Sequence, residues 1–243
     1  MAKPSSHSRS FFFLGLLAIA SLIIIGSFFR QLFNDNFPKL NTVSKDNSII
    51  VPTTERVSDP LVTVVPKNEN PSPLPISSDP VIGAKNPLVT IVEFGDFECS
   101  DCASVSENLY QILSDYPDTV QLVWKDYPLP KQHLYSEISA QAARCAQEQD
   151  SFWEYHDVLL LSQAQFSDEP WSTFAEELGL NVGDFDNCLQ SESTKSMVLE
   201  GYFLARSLGL QVVPTLYIGD QVIAGNVGVE DIKRIIDEKI SEN

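Results

Sequence analysis

Positive charge is scarce in this chain: 16 Lys and Arg stand against 33 Asp and Glu, for a formal net charge of −17. The shortage is uneven. The first fifty residues hold five Lys or Arg against Asp35 and Asp46, whereas the remaining 193 hold 11 against 31. So acidic a body repels phosphate backbones and anionic headgroups, which argues against nucleic acid or an anionic lipid surface as a partner of that part. Cysteine is scarce too. There are four, all beyond residue 98, and they contain a single C-x-x-C. A structural zinc site would need a second such pair, or a Cys/His pair at matching spacing, and His133 and His156 stand isolated. No metal or cofactor is expected, although a bare C-x-x-C keeps a metal-binding module open as an alternative. Internal repeats are also lacking, so a repeat array is excluded.

What the N-terminus has is an uncharged run. Lys3 and Arg9 precede FFFLGLLAIASLIIIGSFF, Phe11 to Phe29, which Arg30 closes. As a helix it would be roughly 28 Å long, against about 30 Å for a bilayer core. Ala18-Ile19-Ala20 has the small-x-small form of a signal-peptidase site. The apolar run continues nine residues past it, which favours an uncleaved signal anchor, with residues 1–33 as a cytoplasmic tip and one transmembrane helix. Residues 34–78 are rich in Pro, Ser, Asn, Thr and Asp without a sustained apolar period, the composition of a flexible linker. Residues 79–243 suffice for one compact domain. An even number of cysteines behind an export signal points to an oxidising compartment, hence the extracytoplasmic side of the membrane.

The one C-x-x-C has a structural context. LVTIVEF, Leu88 to Phe94, reads as a buried strand. ASVSENLYQIL follows Cys102 with a helical period through Val105, Leu109, Ile112 and Leu113. Cys99 then falls at a strand-to-helix junction, with Cys102 one turn into the helix. Unpaired backbone N–H groups and the helix dipole at such a terminus stabilise a thiolate, which is both nucleophile and leaving group in disulfide exchange. Near the C-terminus, Thr215 to Ile218 and Gln221 to Ala224 read as a hairpin across Gly219-Asp220. VEDIKRIIDEKI then reads as an amphipathic helix with Ile232, Ile235, Ile236 and Ile240 inward. Between these ends, SEISAQAARCAQE, SFWEYHDVLLLS, WSTFAEELGL, VGDFDNCLQ and TKSMVLEGYFLARSLG read as helices. Asp150 or Ser151, and Asn181, are the expected N-caps.

Four stretches, DPVIGAKNPLVTIVEFGDFECSDC, KDYPLPKQH, AARCAQEQDSFWEYHDVLL and LGLQVVPTLYIGDQVIAG, together resemble the membrane-tethered bacterial DsbA-like thiol–disulfide oxidoreductases of the thioredoxin superfamily. The resemblance runs from about Asp79 to the C-terminus. It implies an α/β thioredoxin fold with a helical insertion at about 130–210. It also implies that Cys99 and Cys102 carry dithiol–disulfide exchange on exported proteins with cysteines. The direction left open is oxidation, reduction or isomerisation. Pro214, preceded by Val213, would be a cis proline facing the thiols and presenting backbone to substrate. Glu93, six residues before Cys99, would be a buried acid exchanging a proton with Cys102; strand alternation alone would also permit it to face solvent. Cys145 and Cys188 would form a structural disulfide. The redox partner implied is a quinone-linked membrane oxidase. His133 and His156 are read as ordinary hydrogen-bonded histidines, and Phe152, Trp153 and Tyr155 as packing residues.

The chain departs from that pattern between its cysteines. Ser100-Asp101 stands where a proline and an aromatic or His are common. The Asp101 carboxylate is expected to raise the Cys99 pKa, at a cost of about 1 kcal/mol for an exposed charge, making a weaker oxidant. Asp96 and Glu98 read as members of the acidic surface.

Overall fold

The computed structural model describes residues 72–167 and 170–242. The run at Phe11 to Phe29, and all of the linker before residue 72, lie outside the described residues. Among those described, no helix is long and apolar enough to cross a membrane.

Five strands form one sheet in the order β1-β3-β2-β4-β5: β1 Val81–Gly83, β2 Val89–Gly95, β3 Val120–Asp126, β4 Thr215–Ile218 and β5 Gln221–Ala224. The central strand β2 runs parallel to β3 and antiparallel to β4. Its alternation serves two cores at once. Val89 and Ile91 face Val105, Leu109 and Ile112 of α1 (Ser100–Asp115) and Ile232, Ile235 and Ile236 of α7 (Val229–Ser241). Val92 and Phe94 face the other way, into the helical insertion. A strand covered on both faces has no reason to alternate polar and apolar residues, which is why it reads as an apolar run.

The strand is one residue out of register with the sequence expectation, because Leu88 is exposed and Gly95 pairs with Asp126. A Cβ at Gly95 would overlap the Trp124 ring, so glycine lets β3 lay its indole across the end of β2. The β4–β5 turn falls at Gly219-Asp220, with Gly219 in the left-handed region at φ 60° that glycine adopts without penalty.

The insertion comprises α2 (Ser136–Gln147), α3 (Phe152–Leu161), a 3-10 turn (Gln163–Gln165), α4 (Trp171–Glu177), α5 (Val182–Leu189) and α6 (Glu192–Ser207). Asn181 caps α5, its side chain accepting from the Asp184 N–H at 3.2 Å. Ser151 occupies the cap position of α3 without capping it, and its hydroxyl donates to the Gln149 carbonyl instead. Asp150 makes the preceding turn in the left-handed region at φ 58°. Helix α6 starts two residues earlier than its apolar pattern, because the Ser191 hydroxyl accepts the Ser193 N–H.

The expected boundary between linker and domain, at residues 78 and 79, is firmly held. Ser78 is held by its carbonyl, which accepts from Arg144 at 2.9 Å and Gln147 at 3.0 Å. Asp79 pairs with Lys125 at 2.5 Å, both nearly fully buried. Arg144 also bonds Asp126 at 2.6 Å, and the Trp124 indole donates to the same carboxylate at 2.8 Å. Buried charges of this kind persist only when paired and hydrogen-bonded, so this entry to the domain is closely specified.

Candidate active site

Cys99 is the N-cap residue of α1, and its backbone is extended before the helix begins. The turn leading to it closes through the Cys99 N–H on the Asp96 carbonyl at 3.1 Å. Cys102, three residues on, is fully buried, whereas Cys99 is 8% exposed at the surface end of the core. Both are free thiols. Their acidities separate. The Cys99 thiol is lowered from its ordinary range to about 7, first by the hydrogen bond from the Cys102 side chain; burial opposes this, and the backbone N–H groups of Cys102 and Asp101 assist. These N–H groups are the unpaired donors of the first helical turn. Cys102 is pushed well up, chiefly by burial, then by its bond to Cys99 and by the charges of Cys99 and Glu93. One thiol is thus prepared as a thiolate and the other as its proton-bearing partner.

The expectation for Asp101 is corrected here. Its backbone N–H stabilises the Cys99 thiolate, and the carboxylate whose charge opposes that thiolate is Asp96. Asp96 and Glu98 are not members of the acidic surface. Asp96 is 2% exposed, and its carboxylate accepts from the Glu98 N–H at 2.9 Å, the Leu129 N–H at 2.8 Å and His133 Nδ1 at 2.8 Å. Glu98 accepts the Tyr135 N–H at 2.6 Å. Two acids of the active-site turn therefore dock the segment 129–135. A short polar residue at a strand end could have signalled a local turn, but the 33-residue span to Leu129 is invisible in sequence.

The Val213–Pro214 peptide bond is cis. The Val213 carbonyl lies 3.7 Å from Cys99 Sγ, a backbone acceptor directly beside the thiol. Glu93 lies in β2 beside Trp124 of β3 and Leu216 of β4. It is fully buried, and neither carboxyl oxygen has a hydrogen-bond partner. Burial, then the Cys99 charge, push its pKa up to about 8. A carboxyl in that condition carries its proton at neutral pH and can release it.

One contributor was missed by sequence reasoning. Gln163, in the 3-10 turn after α3, donates to the carbonyls of Phe97 at 2.8 Å and Cys99 at 2.9 Å. It satisfies the outer side of the turn from 64 residues away, with no local pattern to announce it. The histidines are hydrogen-bonded, His133 to Asp96 and His156 to Asp157 at 2.9 Å. Phe152 and Tyr155 are buried in the insertion core, and Trp153 packs against both cores. The remaining cysteines, Cys145 of α2 and Cys188 of α5, form a disulfide with S–S 2.06 Å. Among the described residues no cluster of His, Cys, Asp and Glu is placed to hold a metal ion.

Comparison with known proteins agrees with this arrangement. A family model described as thioredoxin matches residues 77–238. Disulfide bond formation protein D of Bacillus subtilis is 25% identical over 175 residues, covering 68% of this chain and 78% of that protein. The solved structure of oxidised BdbD from Bacillus subtilis superimposes with a TM-score of 0.62 at 26% identity, over 71% of this chain and 96% of that one. A Na(+)/H(+) antiporter, NhaA 1 of Salinispora arenicola, is 29% identical over 164 residues, but this chain spans only 25% of its length. The thiol–disulfide exchange protein alpha-DsbA2 of Wolbachia pipientis shares the fold, with a TM-score of 0.61 at 23% identity over 67% of this chain and 87% of that one. With a family model matching most of its length, the chain belongs to the thioredoxin family.

Proposed function

We propose that this protein is a thiol–disulfide oxidoreductase that forms disulfides in exported proteins by dithiol–disulfide exchange. The observation that carries the reading is the pairing of a Cys99 thiol lowered to about 7 with a buried, proton-retaining Cys102 beside it. In the oxidised enzyme a substrate thiolate attacks Cys99 Sγ and breaks the Cys99–Cys102 bond. The electron pair leaves on Cys102 Sγ, which takes a proton; Glu93, buried and proton-bearing at neutral pH, would supply it. A second substrate thiolate then attacks the substrate sulfur of the mixed disulfide and releases Cys99 as a thiolate, which the helix terminus stabilises. The Val213 carbonyl, beside Cys99, supports a role in aligning the substrate backbone. Reoxidation of the dithiol would fall to a membrane partner, a quinone-linked oxidase in this reading.

Location follows from the same reading. The apolar run at Phe11 to Phe29 would anchor the chain by one helix, with residues 34–78 as tether and the thioredoxin domain outside the cytoplasm. The buried Cys145–Cys188 disulfide supports an oxidising compartment. So do relatives described as a disulfide bond formation protein and a periplasmic thioredoxin-like protein.

Reduction or isomerisation is the second reading, and one observation favours it. A Cys99 thiol near 7 stabilises the reduced form less than one several units lower would. Two measurements on the full chain decide. Cys102→Ala should accumulate mixed disulfides through Cys99, and a variant that traps none sinks exchange as the function. Equilibration with glutathione then gives the direction: a potential of about −120 mV supports the oxidase, and about −270 mV overturns it in favour of the reductase.

A further inference from the structure

Asp96 stands out among the buried groups that the exchange reaction does not use. Its side chain lies in the turn that ends at Cys99, and its own carbonyl accepts the Cys99 N–H. The carboxylate is fully enclosed and accepts three hydrogen bonds, two from backbone N–H groups of separate segments and one from His133 Nδ1. His133 is the only one of these donors that reaches solvent through its own side chain, which is 24% exposed against 0% for the carboxylate. The other acids near the thiols are differently disposed. Glu98 is committed to the Tyr135 N–H, and Glu93 is buried in β2 without a hydrogen-bond partner. Both carboxylate oxygens of Asp96 are engaged by N–H donors, and the group they hold lies three residues before Cys99, in the turn that ends at the thiol.

We propose that the buried Asp96–His133 pair sets the redox poise of the Cys99–Cys102 couple, Asp96 opposing the Cys99 thiolate with its charge and His133 drawing part of that charge toward solvent. This rests on the exchange reading above. The physical chain is short. A buried negative charge in the turn that ends at a thiolate, partly shielded from water, disfavours the thiolate; less thiolate stabilisation means a less favoured dithiol, and hence a milder oxidant. His133 acts on Cys99 only through Asp96, so it is a positioning residue, and the pair is a tuning device separate from the cysteines themselves.

The two members pull in opposite directions, which a merely structural role would not produce. In the full-length chain, Asp96→Asn should lower the midpoint of Cys99 thiolate formation, followed by ultraviolet thiolate absorbance. It should also shift the glutathione equilibrium toward the dithiol by about three- to tenfold. His133→Ala should raise the midpoint and shift the same equilibrium the other way by about two- to threefold. His133→Gln, which keeps an N–H donor, should restore it most of the way. If both Asp96→Asn and His133→Ala move the midpoint upward, or neither moves it, the pair only holds the turn and the proposal is overturned. Should Asp96→Asn fail to fold, His133→Ala against His133→Gln decides alone: a raised midpoint that Gln restores supports the pair, and an unchanged one overturns it. The titration reads Cys99 directly. A Cys99 midpoint and glutathione equilibrium that shift as stated, in a chain whose Cys102→Ala variant traps no mixed disulfide with protein substrates, overturn the functional reading and support the tuning role.

Discussion

Two pairs of cysteines share this fold and have been given opposite environments. Cys145 and Cys188 are supplied by helices 43 residues apart, bonded to each other and enclosed, with the Thr194 hydroxyl 3.3 Å from Cys188 Sγ. Cys99 and Cys102 are three residues apart on one helix terminus, free, with a row of backbone N–H groups, a backbone acceptor and a buried acid around them. The difference teaches that reactivity here comes from surroundings, since burial alone would make all four inert. One pair has a thiolate-stabilising helix end and a backbone acceptor beside it; the other is closed as a disulfide between two helices.

The comparison breaks most completely at Cys99. Cys99→Ser should reduce exchange with a peptide disulfide to background while leaving the thermal transition near that of the wild type. Residual turnover through Cys102 would show that the buried thiol is also reactive. The converse variant, Cys145→Ala with Cys188→Ala, should leave the exchange rate at low temperature intact. It should lower stability by about 4 kcal/mol on the loop-entropy account, seen in urea unfolding. A large loss of exchange in the folded double variant would mean that the second pair takes part in the chemistry.

The acid beneath the reactive pair sharpens the contrast. An unfolded chain ionises Glu93 near 4.5, whereas the folded chain holds its proton until about pH 8. Between those values the unfolded state binds fewer protons, so stability falls as pH rises and levels off above about 8. Glu93→Gln should remove that slope and stabilise the protein by about 3 kcal/mol at pH 7. It should also slow the step in which Cys102 exchanges its proton. An unchanged stability profile would mean that Glu93 is ionised in the folded state. The smallest effect is expected at Gln163, whose two bonds brace only the outer side of the active-site turn. Gln163→Ala should slow exchange by about two- to fivefold, in keeping with about 1 kcal/mol for a lost hydrogen bond. An effect as large as that of Cys99→Ser would place Gln163 in contact with substrate.

Much of the frame was legible because its signals are local. The strand before Cys99, the helix after it, the hairpin at Gly219-Asp220 and the inward isoleucines of the last helix each follow from periods of two or 3.6 residues and from turn chemistry. The Gly95 end of β2 escaped because it depends on where Trp124 lies, a residue of another strand. The start of α6 escaped because its cap, Ser191, precedes the apolar pattern. The anchoring of Ser78 and Asp79 escaped because Arg144, Gln147 and Lys125 supply it, none of them near in sequence.

The acids of EFGDFECSDC, Glu93 to Cys102, mark the boundary between the two kinds of knowledge. The sequence by itself determined that two thiols stand at a helix N-terminus, since spacing and periodicity along one segment suffice for that. Only the tertiary structure decided which acid acts on them. Asp101, adjacent to the thiols in sequence, helps Cys99 through its backbone N–H. Asp96 is buried by partners at Leu129 and His133 and turns its charge on the thiolate, while Glu93 is enclosed between β3 and β4 and keeps its proton. The physical reason is that the influence of a charge depends on its burial and on the donors around it, and both are assembled from segments distant in the chain.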